Sequence, residues 1–192
     1  SLDDPVSRYL PAYANLTVKD GDGVRPAKTV MTIRHLMSMQ SGLNYEMLSE
    51  KMRMAAGNDW KTATTRQFAD AKALDPLEFD PGTDFMYSAA HDVLGAVIEV
   101  ASGQKFSEYL QEHIFTPLGL RTITFQPNEE ILARQAAQFV YNPEKYAFEA
   151  CGREDNHFRL TPCFESGGAG LFSDLKDYIA REQVERIVIG EP

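Results

Sequence analysis

Apolar positions recur at helical spacing along most of the chain, and hydroxyl, glycine and proline residues mark where each run begins and ends. The clearest run lies between Ala89 and Ser102, where Val93, Leu94, Val97, Ile98 and Ala101 fall at i, i+1, i+4, i+5 and i+8. That is the apolar stripe of a helix packed on a core, and Gly103 supplies its stop. A second helix is expected from about Phe106 to Phe115, with Phe106, Leu110 and Ile114 on one side and Pro117-Leu118-Gly119 ending it. Thr32 is placed to cap a helix that buries Ile33, Leu36, Met37 and Met39, and Gly42 fits its left-handed stop. Thr64 or Thr65 opens another through Ala73, with Phe68 and Ala71 or Lys72 about a turn apart, and Asp75-Pro76 breaks it. Asn128 caps a short helix from Glu129 to Gln135, and Ser173 a last one around Asp174–Glu185.

The remaining stretches carry other signals. Asp3 or Asp4 before Pro5 starts a short helix that Pro11 closes. Residues 14–30, with Gly21, Gly23 and Pro26 among polar residues, read as a loop. The Met-rich stretch 45–61 is weakly patterned and reads as a mobile helix or a lid. Asp80-Pro81-Gly82-Thr83 is a tight turn, with proline presetting one position and glycine freeing the next. Residues 136–165, with Phe139, Tyr141, Tyr146 and Phe148 around Asn142-Pro143, suggest a short β-hairpin or extended loops. Ile187-Val188-Ile189 looks like the start of a strand. The expected fold class is mainly α with a minor β element.

Composition narrows the function classes. At 192 residues and 43% hydrophobic, the chain is long enough for one domain with a real core. A net charge of -9 argues against nucleic acid and against an anionic lipid surface, since both need a basic face. Two cysteines, Cys151 and Cys163, are too few for a disulfide framework and leave both a single bridge and two free thiols open. No stretch reaches the roughly 18 apolar residues of a membrane span, and the N-terminus has no signal-peptide pattern.

Candidate chemistry is sparse. His35, His91, His113 and His157 show no close helical pairing, so no metal is expected. Gly167-Gly168-Ala169-Gly170 lacks the lysine and hydroxyl of a phosphate loop and reads as a structural turn, so no cofactor is expected. A serine three residues before a lysine on one helix places an amine beside a nucleophilic hydroxyl. Ser102-Gly103-Gln104-Lys105 and Ser173-Asp174-Leu175-Lys176 match that spacing. In the first, Gly103 separates the two residues; in the second, Ser173 is placed as a helix cap. Neither is the expected nucleophile.

Read in order, the punctuation resembles a known family. Leu2-Asp3-Asp4-Pro5-Val6-Ser7-Arg8-Tyr9-Leu10-Pro11, then Thr32-Ile33-Arg34-His35-Leu36 with Ser41-Gly42-Leu43, are followed by Pro81-Gly82-Thr83-Asp84-Phe85-Met86-Tyr87-Ser88 and Val93-Leu94-Gly95-Ala96-Val97-Ile98-Glu99. Ser102-Gly103-Gln104, Ile114-Phe115-Thr116-Pro117-Leu118-Gly119-Leu120 and Gly167-Gly168-Ala169-Gly170-Leu171-Phe172-Ser173 complete the series. Together these resemble the serine β-lactamases of class C and their penicillin-binding and esterase relatives, over nearly the whole chain to about residue 181.

The resemblance implies acyl transfer from β-lactam, D-alanyl peptide or ester substrates through a serine acyl-enzyme. Tyr87 sits where the family has its catalytic tyrosine, with Ser88 and Ala89 on the substrate-binding loop. Ala89 replaces the amide of the usual Tyr-x-Asn, which weakens orientation of substrate and lysine. The family's Ser-x-x-Lys helix and its closing Lys-Thr-Gly-like strand have no counterpart in the matched stretch. Residues 1–181 are therefore expected to be the helical subdomain of a β-lactamase/transpeptidase-like α/β fold, with 182–192 a truncated segment. The expected partners are the missing sheet domain, a small-molecule or peptide substrate, and a second copy through exposed apolar surface. A periplasmic, secreted or cell-envelope location also follows from the resemblance. The rival readings are a non-catalytic homologue that binds a peptide or cell-wall fragment, and an inactive fold unit.

Overall fold

In the computed structural model the described residues are 1–46, 49, 62–151 and 163–174. Most of the stretch 45–61, the helix expected after Ser173, the strand expected at 187–189 and the segment 182–192 lie outside them. Two short 3-10 turns, Val6–Arg8 and Pro11–Ala14, form the N-terminus. Pro11 opens the second turn instead of closing a helix, a position where its missing N–H costs nothing.

The stretch expected as a loop folds into a hairpin. Strands β1 (Thr17–Asp20) and β2 (Gly23–Pro26) pair antiparallel, with Thr17 opposite Pro26 and Asp20 opposite Gly23. Gly21, at φ +55°, takes the turn position that a side chain disfavours. Gly21-Asp22 is the two-residue connection and Gly23 opens β2, and the buried Val18 beside exposed Lys19 is the alternation the glycines masked. The outer edge of β1 is covered: Lys19 N donates to the Leu77 carbonyl at 2.9 Å and Leu77 N to that of Thr17 at 2.8 Å.

Helix α1 (Ile33–Met37) starts at Thr32, whose Oγ1 accepts from His35 N at 3.4 Å, while His35 Nδ1 accepts from Thr32 N at 3.3 Å. It stops sooner than expected. Met37 is exposed, and Met39 itself takes the left-handed conformation at φ +57°. Gly42 instead permits a close approach of two backbone segments, since a Cβ there would stand 2.3 Å from the Phe79 carbonyl oxygen. Helix α2 (Thr65–Lys72) begins with a reciprocal cap between Thr64 and Gln67.

Helix α3 (Ala90–Ser102) ends at Gly103, φ +72°, where the sequence places the stop. Its buried face is Ala90, Val93, Ala96 and Val97, with Leu94 and Ile98 half-buried and Ala101 exposed. The stripe is therefore rotated from the expected one, because α3 is packed by α1, α2 and the following helix together. Helix α4 (Phe106–Leu110) passes into a π-helical turn at Gln111–Phe115. The wider turn carries Ile114 out to solvent and Phe115 in. Asn128 caps α5 (Glu129–Ala133), accepting from Ile131 N at 2.9 Å.

Strands β3 (Phe139–Asn142) and β4 (Ala147–Ala150) form the second hairpin, with Phe139, Val140, Tyr141, Tyr146 and Phe148 exposed. Residues 163–174 return to the body through Thr124 and Phe172, which exchange backbone hydrogen bonds at 3.0 and 2.8 Å. The main core joins Val6, Leu10, Leu16, Val18, Met31, Leu36, Leu43, Leu77, Val93 and Ala96.

Candidate active site

The loop that carries Tyr87 is fixed at its start. Thr83 N donates to the Asp80 carbonyl at 3.1 Å, and Gly82 takes φ +87°. The Asp80 carboxylate accepts from both Arg25 guanidinium nitrogens at 3.1 and 2.6 Å and from Lys28 N at 2.7 Å. These donors, the Arg25 side chain foremost, pull its pKa down to about 2. The first hairpin is thereby tied to the turn that launches the site.

Beyond the turn, residues 82–89 run beside residues 39–46. Gly82 N donates to the Gln40 carbonyl at 2.8 Å, Met86 N to that of Met39 at 3.0 Å, and Ala89 N to that of Asn44 at 3.4 Å. Two irregular segments thus form one surface, and each supplies a tyrosine. Tyr87 is 62% exposed, and its ring stacks on Tyr45 with centroids 5.4 Å apart and planes 29° from parallel. Partial burial, with Tyr87 and the Asp92 carboxylate close by, raises the Tyr45 phenol above its ordinary pKa.

The three residues singled out from the sequence are placed differently. Tyr87 presents its phenol to solvent. Ser88 is buried, its hydroxyl on Met39 Sδ at 3.7 Å, and Ala89 is buried among Phe68, Ala71 and Phe164. Of the three, only Tyr87 has a side chain that a ligand can reach. Tyr45 was not anticipated. It stands two residues beyond Ser41-Gly42-Leu43, at the edge of the weakly patterned stretch, and only its stacking partner 42 positions away gives it significance.

Helix α3 begins directly after this loop, and its first turn is seated by a buried polar contact. The Ser166 hydroxyl donates to Asp92 Oδ1 and accepts from Gly168 N at 3.1 Å and Ala169 N at 2.9 Å. Burial raises the Asp92 pKa against the lowering effect of those donors. A Cβ on Gly167 would lie 2.0 Å from the His91 carbonyl oxygen. The glycine cluster is therefore a structural seat for the start of α3, in line with its reading from the sequence.

The other sequence candidates do not converge on Tyr87. The Ser102 hydroxyl donates to the Ile98 carbonyl at 2.7 Å and Lys105 lies beyond the Gly103 turn. Ser173 contacts its neighbour's carbonyl at 3.4 Å, and Lys176 is outside the described residues, as is His157. Among the described residues no cluster of histidine, cysteine or carboxylate side chains has the arrangement of a metal site. Cys151 and Cys163 are not joined in a disulfide.

An exposed phenol on a loop beside a second phenol has an O–H that can donate and accept hydrogen bonds. The Beta-lactamase family model matches residues 1–182. The chain belongs to the Beta-lactamase family. Across 93% of its length it is 30% identical to the monacolin J acid methylbutanoyltransferase of Aspergillus terreus, covering 45% of that protein. Over 65% of its length it is 34% identical to the esterase EstB of Burkholderia gladioli, covering 32% of it. Its fold superposes with a TM-score of 0.65 on EstCE1, described as a hydrolase with promiscuous acyltransferase activity, at 29% identity over 94% of this chain and 50% of that one. The architecture is accordingly β-lactamase/transpeptidase-like, and this Beta-lactamase-family chain spans about half the length of the relatives it matches.

Proposed function

We propose that the chain forms the helical side of the acyl-transfer cleft of a serine esterase or acyltransferase, with Tyr87 relaying the proton. The observation that carries this reading is the exposed Tyr87 phenol, held by a capped turn and a laced loop and stacked on Tyr45. In the reaction a serine hydroxyl, supplied by polypeptide outside this sequence, attacks the ester carbonyl as Tyr87 Oη accepts its proton and hands its own phenolic proton towards the ester's alcohol oxygen. Collapse of the tetrahedral intermediate expels the alcohol, which takes that proton, and leaves a serine acyl ester. Water or a second alcohol then attacks that ester by the reverse path. Esters are preferred over β-lactams and D-alanyl peptides because the relatives at about 30% identity are named for acyl transfer and ester cleavage.

The test is hydrolysis of p-nitrophenyl butyrate. A polypeptide carrying both this chain and a Ser-x-x-Lys helix shows a burst of nitrophenol, while the 192-residue chain by itself shows none. Tyr87→Phe lowers kcat by about 10²- to 10⁴-fold, the usual weight of a positioned acid-base group. Full activity in Tyr87→Phe refutes the assignment. The second reading, a homologue that binds without turnover, rests on Ala89 standing where the resemblance expects the amide of a Tyr-x-Asn motif. It predicts binding of the ester with no burst.

A further inference from the structure

Lys72, the last residue of α2, has no exposed surface, and no part of the proposed reaction uses it. Burying an ammonium is costly unless every proton finds a partner. Here each does. Lys72 Nζ donates to Asn44 Oδ1, to the Glu46 carbonyl at 2.8 Å and to Asp75 Oδ2 at 3.2 Å. The other Asp75 oxygen accepts from Ser49 Oγ at 2.7 Å. Asn44 in turn donates from Nδ2 to Glu78 Oε1 at 3.1 Å, which also takes Lys19 Nζ at 2.7 Å.

The two loop contacts of Lys72 fall on residues 44 and 46, immediately either side of Tyr45. We propose that Lys72 is a positioning residue: it clamps the Asn44–Glu46 segment to α2 and so holds the Tyr45 ring against Tyr87. The clamp is anchored at its base by Asp75, three residues along from Lys72, and stiffened sideways by Glu78. An apolar residue at 72 would remove the donor that holds Asn44 Oδ1 and the Glu46 carbonyl, leaving Asn44 its contacts with Glu78 and Ala89 N. The proposal rests on the reading of Tyr87 as the proton relay for its purpose, though its geometry stands apart from that reading.

The control is built into the same helix. Tyr13 donates its hydroxyl to the Ala69 carbonyl of α2 at 2.8 Å and is wholly buried. It therefore reports on whether α2 itself stays in place. The experiment is NMR of the 192-residue chain labelled with ring-¹³C tyrosine, with assignments from Tyr13→Phe, Tyr45→Phe and Tyr87→Phe. Wild type is expected to show a ring–ring cross-peak between Tyr45 and Tyr87. In Lys72→Met that cross-peak falls at least about fivefold and Tyr45 titrates nearer an ordinary phenol, while the Tyr13 signals stay fixed.

Asn44→Ala cuts the clamp at its loop end without altering α2 and is expected to reproduce the loss. It keeps the test informative should Lys72→Met fold poorly. A Tyr45–Tyr87 cross-peak retained in both variants overturns the clamp, as does movement of Tyr13 in step with Tyr45, which would mark Lys72 as a general support of α2. None of these signals depends on turnover, so full activity in Tyr87→Phe would refute the proposed function and leave this test intact.

Discussion

Substituting Gly167 by alanine isolates the seat on which the first turn of α3 rests. An ideal Cβ at Gly167 falls 2.0 Å from the His91 carbonyl oxygen and 2.8 Å from its carbon, whereas ordinary contact begins near 3.4 Å. The backbone must therefore separate by more than an ångström, and both partners are main-chain atoms that no rotamer change can remove. The shift strains the Ser166 turn, which receives Gly168 N and Ala169 N, and draws its hydroxyl from Asp92. Overpacking costs about 1–3 kcal/mol, and a weakened hydrogen bond to a buried carboxylate about 1–3 kcal/mol more. A net loss of about 3 kcal/mol corresponds to a fall in Tm of about 6–12 °C for a chain this long. Thermal and urea unfolding followed by circular dichroism measure it. Gly168→Ala is the control, since its Cβ would meet Asp92 Oδ2 at an ordinary 3.4 Å, and it should cost less than about 1 kcal/mol. Equal stability of Gly167→Ala and wild type, within about 0.5 kcal/mol, refutes the packing argument.

Acid should loosen the tie between the first hairpin and the turn. The Asp80 pKa is lowered to about 2 by Arg25 and Lys28, so the stabilisation is complete above the unfolded carboxylate value near 3.8 and is lost as pH falls towards 2. Urea midpoints measured from pH 5 to 2 should fall less steeply in Asp80→Asn than in wild type. His35 adds a milder loss at higher pH: burial lowers its pKa from 6.5, so its neutral, capping form stabilises the fold above about 6.5 and that contribution fades as pH drops below it. A His35→Gln variant, followed by thermal melts between pH 7 and 5, should lack that slope. Ser166→Ala removes the hydroxyl donor of Asp92 and should cost about 1–3 kcal/mol by urea unfolding.

What the sequence disclosed about this chain was local. Thr32, Thr64 and Asn128 cap helices where hydroxyl and amide side chains precede apolar runs, and Gly103 ends α3. Those features depend on neighbours within a turn, so spacing suffices to find them. The first hairpin escaped because glycine and aspartate serve loops and two-residue turns alike, and only the cover over β1 from Leu77 selects the strand. The phase of α3 escaped because three helices share it, which no single-stripe pattern encodes. Motif order singled out Tyr87, which the structure leaves exposed, but Tyr45, stacked on it, and Lys72 and Ser166, in the contacts around the two loops, lie 42, 15 and 79 positions away. Nothing in their local sequence marks them.

That distribution bears on how the proposed cleft divides its work. Among the described residues, the tyrosine pair is held by the Asp80 turn from below, the 39–46 segment alongside and the Asp92–Ser166 seat behind. The proposed relay, held this way, would be preorganised for the nucleophile, which is where a proton-transfer group gains most, since reorganisation during the reaction would raise the barrier. It follows that changes in the supports should alter the position of Tyr87 without altering how the serine is presented, whereas changes at the interface with the rest of the protein should do the reverse. Tyr87→Phe and a substitution of the nucleophilic serine would then be strongly non-additive in rate, as members of one catalytic unit are, while Gly167→Ala and Tyr87→Phe would be nearly additive in stability because the seat and the phenol act on different terms.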